Sequence, residues 1–202
     1  MLLKSNLYTM KTRILIILVC FTLSGCSFLF NPYVTVVDEF KNTKKTTLEL
    51  TAYPTGYLSP VTNADITFEH ITKASGEDVN VYFVMSRSSS SFKLDKKCFV
   101  KANGAIYELE IHKAETEYKT AIKTGSTSTT VKDSTNVKTE LKTKTTSYDW
   151  FDDKFVIRLT PEMKNSFMKT DELVFRFYLG PNEGTFLFKG YTLKRIQKLF
   201  AI

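Results

Sequence analysis

The chain has 202 residues, 43% apolar, 24% charged and 13% aromatic, with 28 Lys and Arg against 21 Asp and Glu for a net charge of +7. That length suits one sizeable domain or two small ones, and the composition is that of an ordinary globular protein. Collagen-like, coiled-coil and multi-span membrane classes are excluded, and so many aromatics argue against wholesale disorder.

From Met10 to Cys26 the sequence reads MKTRILIILVCFTLSGC, a basic start followed by an apolar run and small residues. This is the layout of a secretory signal. Lys11 and Arg13 precede Ile14 to Leu23, a run too short to cross a hydrocarbon core about 30 Å thick as a stable helix. Met10 opens such a signal better than Met1, because residues 1–9 add a weakly apolar patch that the signal does not need.

The run ends in Leu23-Ser24-Gly25-Cys26, which resembles the lipobox of bacterial lipoproteins. The resemblance implies that the Cys26 thiol is alkylated by a diacylglyceryl group, that residues 1–25 are removed, and that Cys26 becomes the first residue. Sulfur is the nucleophile that accepts the lipid. Two or more acyl chains anchor stably where one is marginal. The resemblance also implies a lipid-anchored place in the bacterial cell envelope. Ser27 stands where an Asp favours inner-membrane retention in that family, so it implies the outer membrane if the cell has two. Loss of residues 1–25 removes Lys4, Lys11 and Arg13 and leaves +4. That charge, without a basic cluster interleaved with aromatics, is not the footprint of a nucleic-acid partner.

Residues 26–32 then form the lipidated cysteine and a short tether, and 33–202 a single β-rich domain. Period-two alternation dominates it, as in Thr47 to Ala52, Ile66 to Glu69 and Val79 to Phe83. Breaks fall at Pro54 to Pro60, Ala74 to Glu77 and Ser86 to Ser91, the last read as a solvated polar loop holding Arg87. Asn103-Gly104 predicts a tight hairpin between Cys98 to Lys101 and Ala105 to His112. Strands recurring without intervening helices predict a mainly β fold, an antiparallel β-sandwich or open barrel, with α+β as the alternative.

Residues 116–147 differ in kind, with 11 Thr, 4 Ser and 6 Lys. This insert cannot build a core alone, and Thr favours strands, so it predicts a long polar hairpin turning near Lys132 to Asn136, or else a loop. Phe155 to Leu159 and Leu173 to Tyr178 read as strands, with a turn over Gly180 to Gly184 and a returning strand over Thr185 to Lys189. Thr160-Pro161-Glu162 starts a short helix ending near Lys169. Leu193, Ile196, Leu199 and Phe200 share one face of a closing helix, opposite Lys194, Arg195 and Lys198.

Chemistry-bearing motifs are sparse. Cys20, Cys26 and Cys98 have no zinc-ligand spacing with His70 and His112, and no nucleophile elbow or phosphate-cradling loop is present. Neither a cofactor nor a metal is expected. His70 and His112 read as strand residues and Cys98 as a small buried hydrophobe. In Tyr148-Asp149-Trp150-Phe151-Asp152-Asp153 three aromatics alternate with three acids. Trp150 and Phe151 are expected to plug the core while the acids stay solvated. Tyr148, Trp150 and Phe151 are the candidate contacts for an envelope protein or glycan.

The expected function is therefore a non-enzymatic binding or structural module, attached to the membrane through its N-terminal lipid. One alternative is an envelope hydrolase or glycan-active enzyme using acids near Trp150 with Glu108 or Glu110. Another is a periplasmic assembly factor, which would need an exposed apolar groove.

Overall fold

The structure is a computed structural model that describes residues 32–56, 59–88, 92–133 and 136–201. The signal segment 1–25, Cys26 and Ser27 lie outside the described residues, as do Ser89 to Ser91. The chain divides into two compact units, Met1–Val34 and Thr35–Ile202. Of the first, only 32–34 is described, where a strand opens; the architecture below is that of the second.

In chain order the elements are β1 (Tyr33–Asp38), β2 (Thr43–Ala52), β3 (Val61–Lys73), β4 (Gly76–Ser88), β5 (Lys97–Ala102), β6 (Ala105–Glu110), β7 (His112–Asp133) and β8 (Asn136–Leu159). Helix α1 (Pro161–Lys169), β9 (Glu172–Leu179), β10 (Asn182–Lys189) and helix α2 (Gly190–Phe200) complete it. One sheet has the order β1-β2-β3-β4-β8-β7 and the other β10-β9-β5-β6. The pairings in register are antiparallel. The fold is thus mainly β, a sandwich or open barrel with two short helices near the C-terminus.

Alternation explains the layering, because successive side chains on a strand point to opposite faces. On β4, Val79, Val81, Phe83 and Met85 are buried, and on β9 so are Leu173, Phe175, Phe177 and Leu179. These faces meet through aromatic rings. The Phe83 centroid lies 4.9 Å from Phe177 and 5.5 Å from Phe175, and Phe68 of β3 lies 6.2 Å from Phe175, all edge-on. Burial of each such side chain contributes about 1.5–3 kcal/mol, and the edge-on geometry adds to it.

The chain crosses between sheets at a sharp corner. The sequence places His112 at the end of the Ala105 strand, but β6 stops at Glu110 and His112 opens β7 in the other sheet. Lys113 has φ +52° and the β7/β8 register is irregular between His112 and Glu115. A positive φ beside a bulge re-aims a strand, which is how sandwiches turn corners. The Asn103-Gly104 turn is as expected, with φ of +50° and +79°.

The two ends of the sandwich differ. At one, Thr160 Oγ1 caps α1 by accepting from the Met163 amide at 3.3 Å, and α1 buries Met163 and Phe167. Helix α2 buries Leu193, Ile196, Leu199 and Phe200. Gln197 Nε2 donates to the Phe167 and Thr170 carbonyls at 3.1 and 2.9 Å, satisfying carbonyls that the end of α1 leaves open. At the other end the segment after β2 straps the sheets together, with the Thr55 amide donating to the Thr185 carbonyl at 2.7 Å. Gly184 lies beneath this strap, where a Cβ would come within 2.9 Å of Val61 Cγ2.

Candidate functional site: a projecting ribbon and its root

Strands β7 and β8 outrun their sheet. The register of β8 with β4 ends at Ser88↔Trp150, whereas β7 and β8 stay paired out to Asp133↔Asn136. Beyond Trp150 they form a two-stranded ribbon of roughly 45 Å at about 3.3 Å per residue. The strands leave off inside the stretch Lys132 to Asn136 that composition marks as the turn. The ribbon departs from the end of the sandwich opposite α1, since α1 begins just after Leu159, whose β4 partner is Val79.

Register gives the ribbon two distinct faces. One carries Lys119 beside Trp150, Ala121 beside Tyr148, Lys123 beside Thr146 and Gly125 beside Lys144. The other carries Tyr118 beside Phe151, Thr120 beside Asp149, Ile122 beside Ser147 and Thr124 beside Thr145. On that second face Thr120 Oγ1 donates to Asp149 Oδ1 at 2.9 Å.

At the root the adjacent acids of β8 serve opposite faces. Asp153 is buried with Arg87: Nε donates to Oδ2 at 2.6 Å and Nη2 to Oδ1 at 3.4 Å. Thr116 Oγ1 donates to the same carboxylate at 2.6 Å, and the Arg87 guanidinium lies 4.6 Å over the Phe151 ring. Arg87 therefore belongs to the closing end of the core and not to a solvated loop, because it ends β4 in the inward-facing set of Phe83 and Met85.

Asp152 accepts from Ser86 Oγ at 2.6 Å, Trp150 Nε1 at 3.1 Å and Lys119 Nζ at 2.7 Å. Burial pushes its pKa up, but the bonds from Lys119, Ser86 and Trp150 outweigh this and hold it below the usual carboxylate value. The Lys119 ammonium is correspondingly raised, chiefly by its bond to Asp152. Glu117 is lowered by its bond to Lys154, at 2.7 Å.

The expectation of solvated acids beside plugging aromatics is thus reversed for this pair. Asp152 and Asp153 are buried, while Trp150 and Phe151 are half-buried and Tyr148 is exposed. Each buried acid accepts hydrogen bonds from several donors, which is the condition for burying a polar group. Of the candidate contacts, Tyr148 and Trp150 share the lysine face and Phe151 lies on the other. The acids named for a hydrolytic reading do not converge. Asp152 and Asp153 bond disjoint partners, and Glu108 and Glu110 lie on β6 in the other sheet, Glu108 paired with Lys97.

Other polar clusters tie elements together. His70, buried on β3, bonds Glu77 Oε2 through Nε2 at 2.8 Å, and Lys164 of α1 reaches the same oxygen at 2.5 Å. The Lys164 and His70 bonds together lower the Glu77 pKa. The sequence offers no acidic partner for His70 because Glu77 approaches across the β3/β4 hairpin. Cys98 is fully buried on β5, and burial pushes its thiol up to about 12, so the reactive thiolate is disfavoured.

On the outer face of the smaller sheet, Phe99, Ile106, Val174 and Tyr178 line an open hollow of about 250 Å³ between Lys101 and Arg176. Among the described residues no group of three or more His, Cys, Asp or Glu is placed to hold a metal ion. No helix among them is long and apolar enough to cross a membrane. Comparison with family models, curated proteins and solved structures found no match.

Proposed function

We propose that this protein is a lipid-anchored bacterial envelope lipoprotein, and that its domain is a non-enzymatic binding module whose contact surface is the β7/β8 ribbon. The observation that carries this reading is the pairing of β7 with β8 far beyond the last β4 partner at Trp150. Isolated two-stranded hairpins are marginal in water. A ribbon whose length adds nothing to the core is therefore accounted for by what it touches. Its Thr-rich strands suit extended structure without an apolar face, and binding surfaces commonly sit on such excursions from a rigid scaffold. The lipobox supports the address, with Cys26 as the lipidated residue.

Replacing residues 122–147 by Asn-Gly joins the cross-strand pair Ala121 and Tyr148 through a turn suited to it. The shortened protein is expected to keep its cooperative unfolding transition and to lose the adducts that photo-crosslinking in intact envelopes gives the full chain. An unfolded product would place the ribbon in the core, and unchanged adducts would remove it as the contact surface. Labelling with a radioactive fatty acid, abolished by Cys26→Ser, tests the anchor separately.

A further inference from the structure

We propose that the Lys119/Lys123/Lys144 face of the ribbon lies against anionic lipid headgroups, a partner assignment that rests on the anchored-module reading above. Two observations lead there.

The first is charge. Residues 120–149 carry Lys123, Lys132, Lys138, Lys142 and Lys144 against Asp133, Glu140 and Asp149, a net of +2. At the root, acids answer bases: Lys119 with Asp152, and Lys154 with Glu117. Lys123 and Lys144 have no ion-pair partner among the described residues, so the positive charge is left over on the projection.

The second is the aromatic content of that face. Tyr148 is exposed, and Trp150 is half-buried with its Nε1 donating to Asp152. Aromatic rings with a polar edge beside lysines suit the headgroup layer, where one side is wet and the other apolar.

The polar backbone edges of the ribbon bar it from the hydrocarbon, so the proposed contact is with the headgroup layer.

Trp150 is the single tryptophan of the chain and sits on the proposed face, so it serves as the reporter. The full lipidated protein, isolated from membranes, is reconstituted into vesicles of phosphatidylcholine alone or mixed with phosphatidylglycerol, each with a headgroup-level quencher lipid. Flotation with the neutral vesicles reads the anchor, and Trp150 quenching reads the ribbon. Quenching is expected only with phosphatidylglycerol, and reversed at about 1 M salt, where the screening length is about 3 Å.

Lys123→Glu with Lys144→Glu is expected to weaken the contact at least about 25-fold, at roughly fivefold per lysine near an anionic surface, while flotation and circular dichroism stay unchanged. Equal quenching in both lipids, or quenching that survives the double reversal, overturns the proposal. So does a ribbon that stays unquenched and crosslinks to a protein through this face. Loss of flotation with retained phosphatidylglycerol-dependent quenching refutes the anchor and upholds the lipid contact.

Discussion

Arg87 and Asp153 show how a single pair decides the sandwich's open end. Both are almost fully buried, with Thr116 completing the carboxylate's bonds and Phe151 the guanidinium's packing. Breaking a buried pair by removing Arg87 costs about 3–5 kcal/mol, whereas replacing both by an apolar pair of similar volume is often neutral. Arg87→Met is expected to lower the unfolding free energy read by urea denaturation by that margin, and Arg87→Met with Asp153→Leu to recover most of it; a double variant as weak as the single would show that the polar pair itself is required. Asp152 supplies a pH-dependent contribution of definite sign. Its folded pKa is depressed, so its stabilisation is present above the unfolded value of about 3.9 and is lost as pH falls through the folded one. The stability gap between the protein and Asp152→Asn should hold steady from about pH 7 to pH 5 and shrink below about pH 4, as read by urea denaturation across that range. The inward direction of Arg87 was legible in principle. It continues the odd-numbered set Val79, Val81, Phe83 and Met85, just as Asp153 continues Phe155 and Ile157. Reading composition in Ser86 to Ser91 ahead of period hid it, because a serine-flanked arginine looks like a loop until its strand partner is known.

Among the elements, β8 is the unusual one, a single strand of 24 residues that serves as core at one end and as free ribbon at the other. Where β4 flanks it, from Trp150 to Leu159, its amides are shielded by a sheet; from Asn136 to Asp149 its one registered partner among the described residues is β7. Amide hydrogen exchange is therefore expected to show a step in protection at Trp150, with the ribbon exchanging through local opening far faster than Phe155 to Leu159. Uniform protection along β8 would mean that a second partner covers the ribbon. The helices were the easiest elements to read, because their signals are local: Thr160 and Pro161 start α1, and the spacing of Leu193, Ile196, Leu199 and Phe200 sets the buried face of α2. The β6/β7 corner was not, since it depends on a positive φ at Lys113, a residue with no glycine-like signature. The ribbon was visible as a composition rich in threonine, but its two faces emerged only with the register.

At the scale of the molecule, the sandwich divides its labour by end. The helix end is closed by aromatic contacts, with Phe200 within 6.3 Å of both Phe68 and Phe167, and by the Glu77 bonds that join α1 to the β3/β4 hairpin. The ribbon end is fastened by the Thr55 strap and the Arg87 pair, leaving β7 and β8 to continue outward. Strand pairing across that distance is long-range in sequence, which is why no single stretch of the chain announces the sandwich even though each strand announces itself. A slender arm clamped at one end also behaves as a lever. A swing of about 10° at the clamp carries the far end of an arm about 45 Å long through about 8 Å, so the mouth of the sandwich can stay still while the extremity sweeps a wide arc. For the contact surface proposed above, such leverage would widen the capture radius, and the few bonds around Asp152 and Asp153 would set the stiffness of the clamp.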